Sequence, residues 1–87
     1  MHAVVVRVNI GDVESAEKAL RGEVVPRISQ APGFVAGYWT RKDDKGLSMV
    51  IFETEEDANR ASEMVRSMSF DYVSLEDVDV REVVAHA

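Results

Sequence analysis

The sequence predicts a two-layer α+β domain in the order β-α-β-β-α-β, with two helices on one face of a four-stranded antiparallel sheet. Three observations lead there. Segments rich in β-branched and aromatic residues recur at His2–Ile10, Phe34–Arg41, Leu47–Glu53 and Val78–Ala85. Apolar residues at helical spacing fill the stretch between the first and second, and again the stretch between the third and fourth. A chain of 87 residues has room for one hydrophobic core, so residues 1–87 are expected to form one domain.

The first strand, HAVVVRVNI, has unlike faces. Val4, Val6, Val8 and Ile10 make one wholly apolar, whereas Ala3, Val5, Arg7 and Asn9 make the other mixed. Gly11-Asp12 breaks the strand, and Asp12 suits the N-cap of a helix. Val13, Ala16, Leu20, Val24 and Ile28 then form a helical stripe, with Glu14, Glu17, Lys18 and Arg21 on the other side. Pro26 interrupts this stripe. It lacks an amide donor and crowds the preceding turn, so it is expected to kink the helix or to begin a second helical turn. Pro32-Gly33 ends the segment.

Strand two, FVAGYWTR, leads into a hairpin loop Lys42-Asp43-Asp44-Lys45-Gly46, where Gly46 suits the left-handed bulge position. Strand three is LSMVIFE. Thr54-Glu55-Glu56-Asp57 then resembles a capping box, with Asp in place of the usual Glu or Gln. The second helix is expected to run to about Met68, with Ala58, Ala61, Met64 or Val65, and Met68 on its apolar stripe. A loop through Phe70 and Tyr72 leads to the last strand. This is a ferredoxin-like architecture.

Two helices cover one sheet face only. With a bulged turn at Gly46, Val35, Gly37, Trp39 and Arg41 fall opposite Glu53, Ile51 and Met49. Trp39 then joins Val5, Arg7, Met49 and Ile51 on the uncovered face, a patch too apolar for water. A second copy packing sheet to sheet is the simplest cover, so a homodimer is expected. A one-residue slip of register would exchange Trp39 with Tyr38.

Composition removes several classes. Without cysteine there is no disulfide scaffold, thiolate metal site or cysteine nucleophile. Sixteen acidic against ten basic residues, a net charge of −6, oppose nucleic acids and anionic membranes. No apolar run reaches membrane-span length, and the N-terminus lacks a signal-peptide layout, so a cytoplasmic location is expected. An RNA-recognition module would need a basic surface, a metal carrier paired cysteines, and an acylphosphatase-like enzyme a phosphate cradle where this chain has Gly11-Asp12-Val13-Glu14.

PGFVAGYW, a hairpin, MVIFETEEDANRA and a closing VREVVAHA together resemble the dimeric α+β barrel proteins, and more narrowly the antibiotic-biosynthesis-monooxygenase-like group. The resemblance covers nearly the whole chain and rests on structural rather than catalytic motifs. It implies sheets paired into a barrel and a ligand cleft between sheet and helices. It also implies, for some members, cofactor-independent oxygenation of polyphenolic or quinone-type compounds, and for others haem binding or degradation. The haem-degrading branch uses an Asn on the first strand, a Trp ending the third and a His on the second helix. Here those positions fall near Val4, at Phe52 and at Ser62, and Asn9 lies on the opposite face.

The cleft is expected to be lined by Phe34, Tyr38, Val50, Phe52, Met64, Met68 and Phe70, which suit a flat apolar ligand or simply fill a core. Tyr38 is the candidate to hydrogen-bond or deprotonate a phenolic substrate. His2 and His86 lie near the termini and are expected to be solvent-exposed. No His, Asp or Glu set has metal-ligand spacing, and no cofactor is implied. The function expected is small-molecule binding and, if the chain is an enzyme, the resemblance implies cofactor-independent monooxygenation of an aromatic or quinone-type compound. The alternative is a non-catalytic dimeric ligand-binding or regulatory module.

Overall fold

A computed structural model describes residues 1–68 and 71–87. Strand β1 (His2–Ile10) precedes a helical rod of three consecutive segments: α1 (Val13–Ala19), a π-helical turn (Leu20–Val24) and α2 (Val25–Ser29). Strands β2 (Phe34–Lys42) and β3 (Lys45–Phe52), helix α3 (Glu55–Ser67) and strand β4 (Val73–Glu82) complete the chain. The sheet is antiparallel, in the order β2-β3-β1-β4. This is the expected β-α-β-β-α-β arrangement, with the core between sheet and helices built on Val4, Val6, Ile28, Val50, Phe52, Ala58, Ala61 and Val78. No helix among the described residues is long and apolar enough to cross a membrane.

The helix starts obey their caps. Asp12 accepts from the Ser15 hydroxyl at 2.9 Å and from the Ser15 amide at 3.3 Å. These bonds favour the ionised form and hold the Asp12 carboxyl below the usual carboxylate range. Thr54 caps α3 by accepting from the Asp57 amide at 3.1 Å. The Asp57 carboxylate itself lies over Gly33, where a Cβ would come within 2.2 Å of Oδ2. Gly33 also has φ 79°, so both space and backbone demand glycine there.

The π turn accounts for a feature of the apolar stripe that a straight helix does not. Ala16, Leu20, Val24 and Ile28 recur every four residues, and at 100° per residue a straight α-helix would rotate each by about 40° from the last. A π turn winds more slowly, at about 4.4 residues per turn, and returns Val24 to the face of Ala16. The wide turn also precedes Pro26, which lies in the first turn of α2. Pro26 thus begins a new helical segment, the second of the two outcomes expected for it.

Two expectations need correction. The hairpin turn is Asp43-Asp44 alone, with Lys42 paired to Lys45 and Asp43 at φ 54°. Gly46 belongs to β3 and is glycine for a different reason, since its Cβ would meet Val8 Cγ2 at 2.7 Å. Strand β4 begins at Val73 and ends at Glu82, earlier than the expected Val78–Ala85. It carries Glu76, Asp77 and Asp79, charges that suit a solvated loop in sequence. In the fold β4 is an edge strand, and Asp77 and Asp79 lie on the open sheet face, where Asp77 pairs with Arg7 at 3.4 Å and Asp79 with Arg81 at 2.7 Å.

Candidate functional site

Between sheet and helices lies a cavity of about 560 Å³. It exists because the residues that face one another there are small. Ala16 and Ala19 of α1, Ala61 of α3, and Gly46 and Ser48 of β3 leave the two layers unfilled. Its inner end rests on Phe52, Val4 and Ile28, all fully or almost fully buried. Its outer end opens where the hairpin, the start of β4 and the helical rod approach one another, and Glu17, Arg21, Arg41 and Leu75 stand there.

The two-residue turn sets which aromatic faces this space. With Trp39 paired to Ser48 and Tyr38 to Met49, the register differs by one residue from that expected with a bulge at Gly46. Trp39 therefore packs on the core side and lines the cavity, and it does not lie on the uncovered face. Tyr38 points away, 65% exposed, on the open face, and is not a cleft residue. A second irregularity, at Val35, restores the pairing of Phe34 with Phe52. The indole of Trp39 leans back along β2 over Gly37, whose missing Cβ would sit 2.6 Å from Cη2 and 2.7 Å from Cζ3.

The remaining candidates divide. Phe52, Met68 and Val50 line the cavity. Phe34 and Met64 pack against the core without lining it, Phe34 meeting Phe52 edge to face at 6.2 Å between centroids and 81° between planes. Phe70 lies outside the described residues. Val5, Arg7, Met49 and Ile51 stand on the open face, with Val5 paired to Met49 and Ala3 to Ile51. There Val5 is buried by its neighbours, whereas Met49 and Leu47 are each 44% exposed. His2 is not at the surface as expected. Its side chain is 20% exposed, with Nε2 3.5 Å from Glu55 Oε2 and Nδ1 buried without a partner. His86 is exposed, as its terminal position implies.

Sequence reasoning missed the polar residues of the cavity. Arg41, two places beyond Trp39 on the same strand face, donates from Nε to Glu17 Oε1 at 3.3 Å and from a terminal nitrogen to the Asp43 carbonyl at 2.9 Å. Arg21 reaches Glu17 Oε2 at 3.9 Å, and Arg66 donates to the Val78 carbonyl at 3.0 Å. The Arg41–Glu17 pair is about two-fifths exposed on both sides, so it contributes about 0–1 kcal/mol and opens readily. The bulged register puts Arg41 with Trp39 on the open face, and correct hairpin parity returns both to the cavity. Phe52 and Ser62, expected from the resemblance to stand where the haem-degrading branch has its Trp and His, are packing groups here. Phe52 is fully buried, and Ser62 is buried with its hydroxyl donating to the Asn59 carbonyl at 2.8 Å.

No protein-family model matches the chain, and no curated protein matches it significantly. Solved structures do. MupZ from Pseudomonas fluorescens superposes with a TM-score of 0.69 at 14% identity over 91% of this chain, which spans 65% of the MupZ chain. A mutant of SnoaB, a cofactor-independent oxygenase from Streptomyces nogalater, superposes with a TM-score of 0.72 at 11% identity, over 98% of this chain and 94% of that one. MhuD, a heme-degrader from Mycobacterium tuberculosis with two hemes bound in its active site, gives 0.53 at 17% identity, over 97% and 98%. At these identities the shared property is the fold. The chain has a ferredoxin-like α+β fold, shared with these three structures.

Proposed function

We propose that the chain binds a small, flat organic molecule in the cavity between sheet and helices, and that the activity to test is cofactor-independent oxygenation of an aromatic or quinone-type compound. The observation that carries this reading is the cavity itself. Its volume of about 560 Å³ falls within the roughly 300–1,000 Å³ typical of small-molecule sites, and its walls are mainly aliphatic and aromatic with a few polar groups among them. The likeness in fold to SnoaB supports the oxygenase form of the reading. In that chemistry the protein positions the substrate and favours its deprotonated form, which passes an electron to dioxygen without a cofactor.

A specific observation favours the non-catalytic alternative. With Tyr38 outside, Glu17 is the one carboxylate among the described lining residues, and it is paired with Arg41; no histidine lines the cavity among those residues. The two readings separate in one experiment. Trp39 is the sole tryptophan of the chain and stands in the cavity wall, so quenching of its emission by a panel of anthraquinols and naphthoquinols reports binding. Oxygen uptake in the same cuvette reports turnover. Quenching with uptake supports the oxygenase, quenching alone the binding module, and neither overturns both.

We further propose a homodimer through the open face. Val5, Ile51 and Met49 form its apolar centre and Tyr38 and Leu47 its exposed border. Met49→Arg puts a charge at that centre without touching the core, so the wild type should sediment as a dimer and the variant as a folded monomer. A monomeric wild type overturns this reading.

A further inference from the structure

We infer that the ligand of this cavity is an aromatic acid, a planar ring system bearing a carboxylate that Arg41 receives beside the indole of Trp39. The inference rests on the cavity being a ligand site and adds the charge of its occupant.

Charge supplies the first observation. The chain as a whole carries −6, sixteen acidic residues against ten basic. The cavity inverts that balance: its described lining holds three guanidinium groups, Arg21, Arg41 and Arg66, against the single carboxylate of Glu17. Each comes from a different element, the π turn, β2 and α3, so the excess is a property of the fold and not of one basic run; Arg66 is held by the Val78 carbonyl at 3.0 Å, which leaves Arg21 and Arg41 at the outer end. An acidic protein that concentrates positive charge in a large apolar recess favours anions there and repels them elsewhere.

Spacing supplies the second. Trp39 and Arg41 alternate with Tyr38 and Thr40, so they share a face two residues apart, about 6.8 Å along the strand at 3.4 Å per residue. The indole leans back toward Gly37 and the guanidinium forward toward Asp43, so the gap between them exceeds that spacing and suits a system of fused rings, with one end on the indole and a substituent on its far edge reaching the guanidinium. Arg offers a planar fork of donors that matches a carboxylate. Two of the Arg41 nitrogens are already engaged, Nε by Glu17 at 3.3 Å and a terminal one by the Asp43 carbonyl at 2.9 Å. The latter fixes the guanidinium at the rim, while the former joins exposed partners and yields to a ligand carboxylate. Arg21, 79% exposed and 3.9 Å from Glu17, is placed to receive the Glu17 carboxylate when Arg41 turns to the ligand.

The test uses a matched pair, anthracene-2-carboxylate and its neutral carboxamide, titrated at pH 7 against the full-length protein with Trp39 emission and calorimetry as readouts. The acid should bind about tenfold more tightly than the amide, as a charge-assisted hydrogen bond in a partly exposed site provides. Arg41→Gln should remove most of that preference while leaving the amide's affinity within about twofold. Glu17→Gln, which frees Arg41, should enlarge it. Circular dichroism checks that both variants keep the fold, and the opposite signs expected for the two keep the outcome independent of general loss of stability. Equal affinity for acid and amide, or a preference unchanged in Arg41→Gln, overturns the aromatic acid and leaves the cavity as a ligand site. Failure of both probes to bind overturns the ligand site as well.

Discussion

The placement of Trp39 over Gly37 gives the most exacting prediction. In Gly37→Ala the new Cβ would lie 2.6 Å from Cη2 and 2.7 Å from Cζ3 of the indole. Non-bonded carbons rest at about 3.5–4.0 Å, so the ring edge must retreat by about 1 Å. Overpacking of this kind commonly costs about 1–3 kcal/mol. Here the ring borders an open cavity of about 560 Å³ and can swing into it, which puts the cost near the lower bound of that range. Against that stands a gain of about 0.5–1 kcal/mol for replacing glycine in a strand. Net stability should therefore change by less than about 1 kcal/mol, or by under about 8 °C in Tm, while the indole moves. Near-ultraviolet circular dichroism and the emission maximum of the sole tryptophan read that movement directly, and urea denaturation reads stability. The decisive control is the same change in a Trp39→Leu background, where the obstruction is gone and alanine should stabilise by about 0.5–1 kcal/mol. An unaltered Trp39 spectrum in Gly37→Ala, or an equal destabilisation in both backgrounds, would refute the contact.

Three further outcomes rest on the same packing and caps. Gly46→Ala brings a Cβ within 2.7 Å of Val8 Cγ2; a valine has little rotamer freedom in a central strand, so the loss measured by urea denaturation should be about 1–3 kcal/mol, larger than at Gly37. Phe52→Ala removes a fully buried ring and its edge-to-face partner contact with Phe34; a cost of about 3–5 kcal/mol in so small a domain should leave far-ultraviolet dichroism largely unfolded at 25 °C. Asp12 contributes through a lowered carboxyl pKa, caused by its bonds from Ser15. A depressed acid stabilises fully above its unfolded value of about 3.9, and that contribution fades as pH falls through the lower folded value. Asp12→Asn should therefore flatten the acid limb of a stability-against-pH curve below about pH 4 and leave its shape near neutrality unchanged.

The order of elements was legible because hydrophobic period and breaker residues agree along the chain. The first strand's two faces, the Asp12 and Thr54 caps and the Pro32-Gly33 stop stand where the residues put them. The cavity was legible only in its floor, Phe52, Val50 and Met68. Its wall turns on a single ambiguity, whether glycine or the preceding aspartates make the hairpin turn. Gly46 is the more common turn residue, yet the strand needs it beside Val8, and Asp43 accepts the positive φ instead. Because strand faces alternate, that single residue exchanges the sides of Trp39 and Arg41 together. The cationic part of the lining was hidden for a different reason. Arg21, Arg41 and Arg66 are far apart in sequence, and only the closing of the helical rod and α3 over the sheet makes them neighbours of one space.

The π turn between α1 and α2 has a consequence for how chains of this kind can change over generations. Gain or loss of one residue inside a packed helix normally rotates everything beyond it by about 100°, which turns the buried side outward and is seldom inherited. A turn that holds one extra residue confines that rotation to itself. Gly22, at its centre, has nothing within 4 Å of the place a side chain would occupy, so that position is free of the steric demands that fix Leu20 and Val24 on either side. Length in this stretch is therefore open to drift while Val24 and Ile28 keep their seats, and with it the identity of whichever side chain the wide turn presents at the cavity's rim. A lineage could alter what the recess admits by an in-frame gain or loss of a single codon, without first rebuilding the core beneath it.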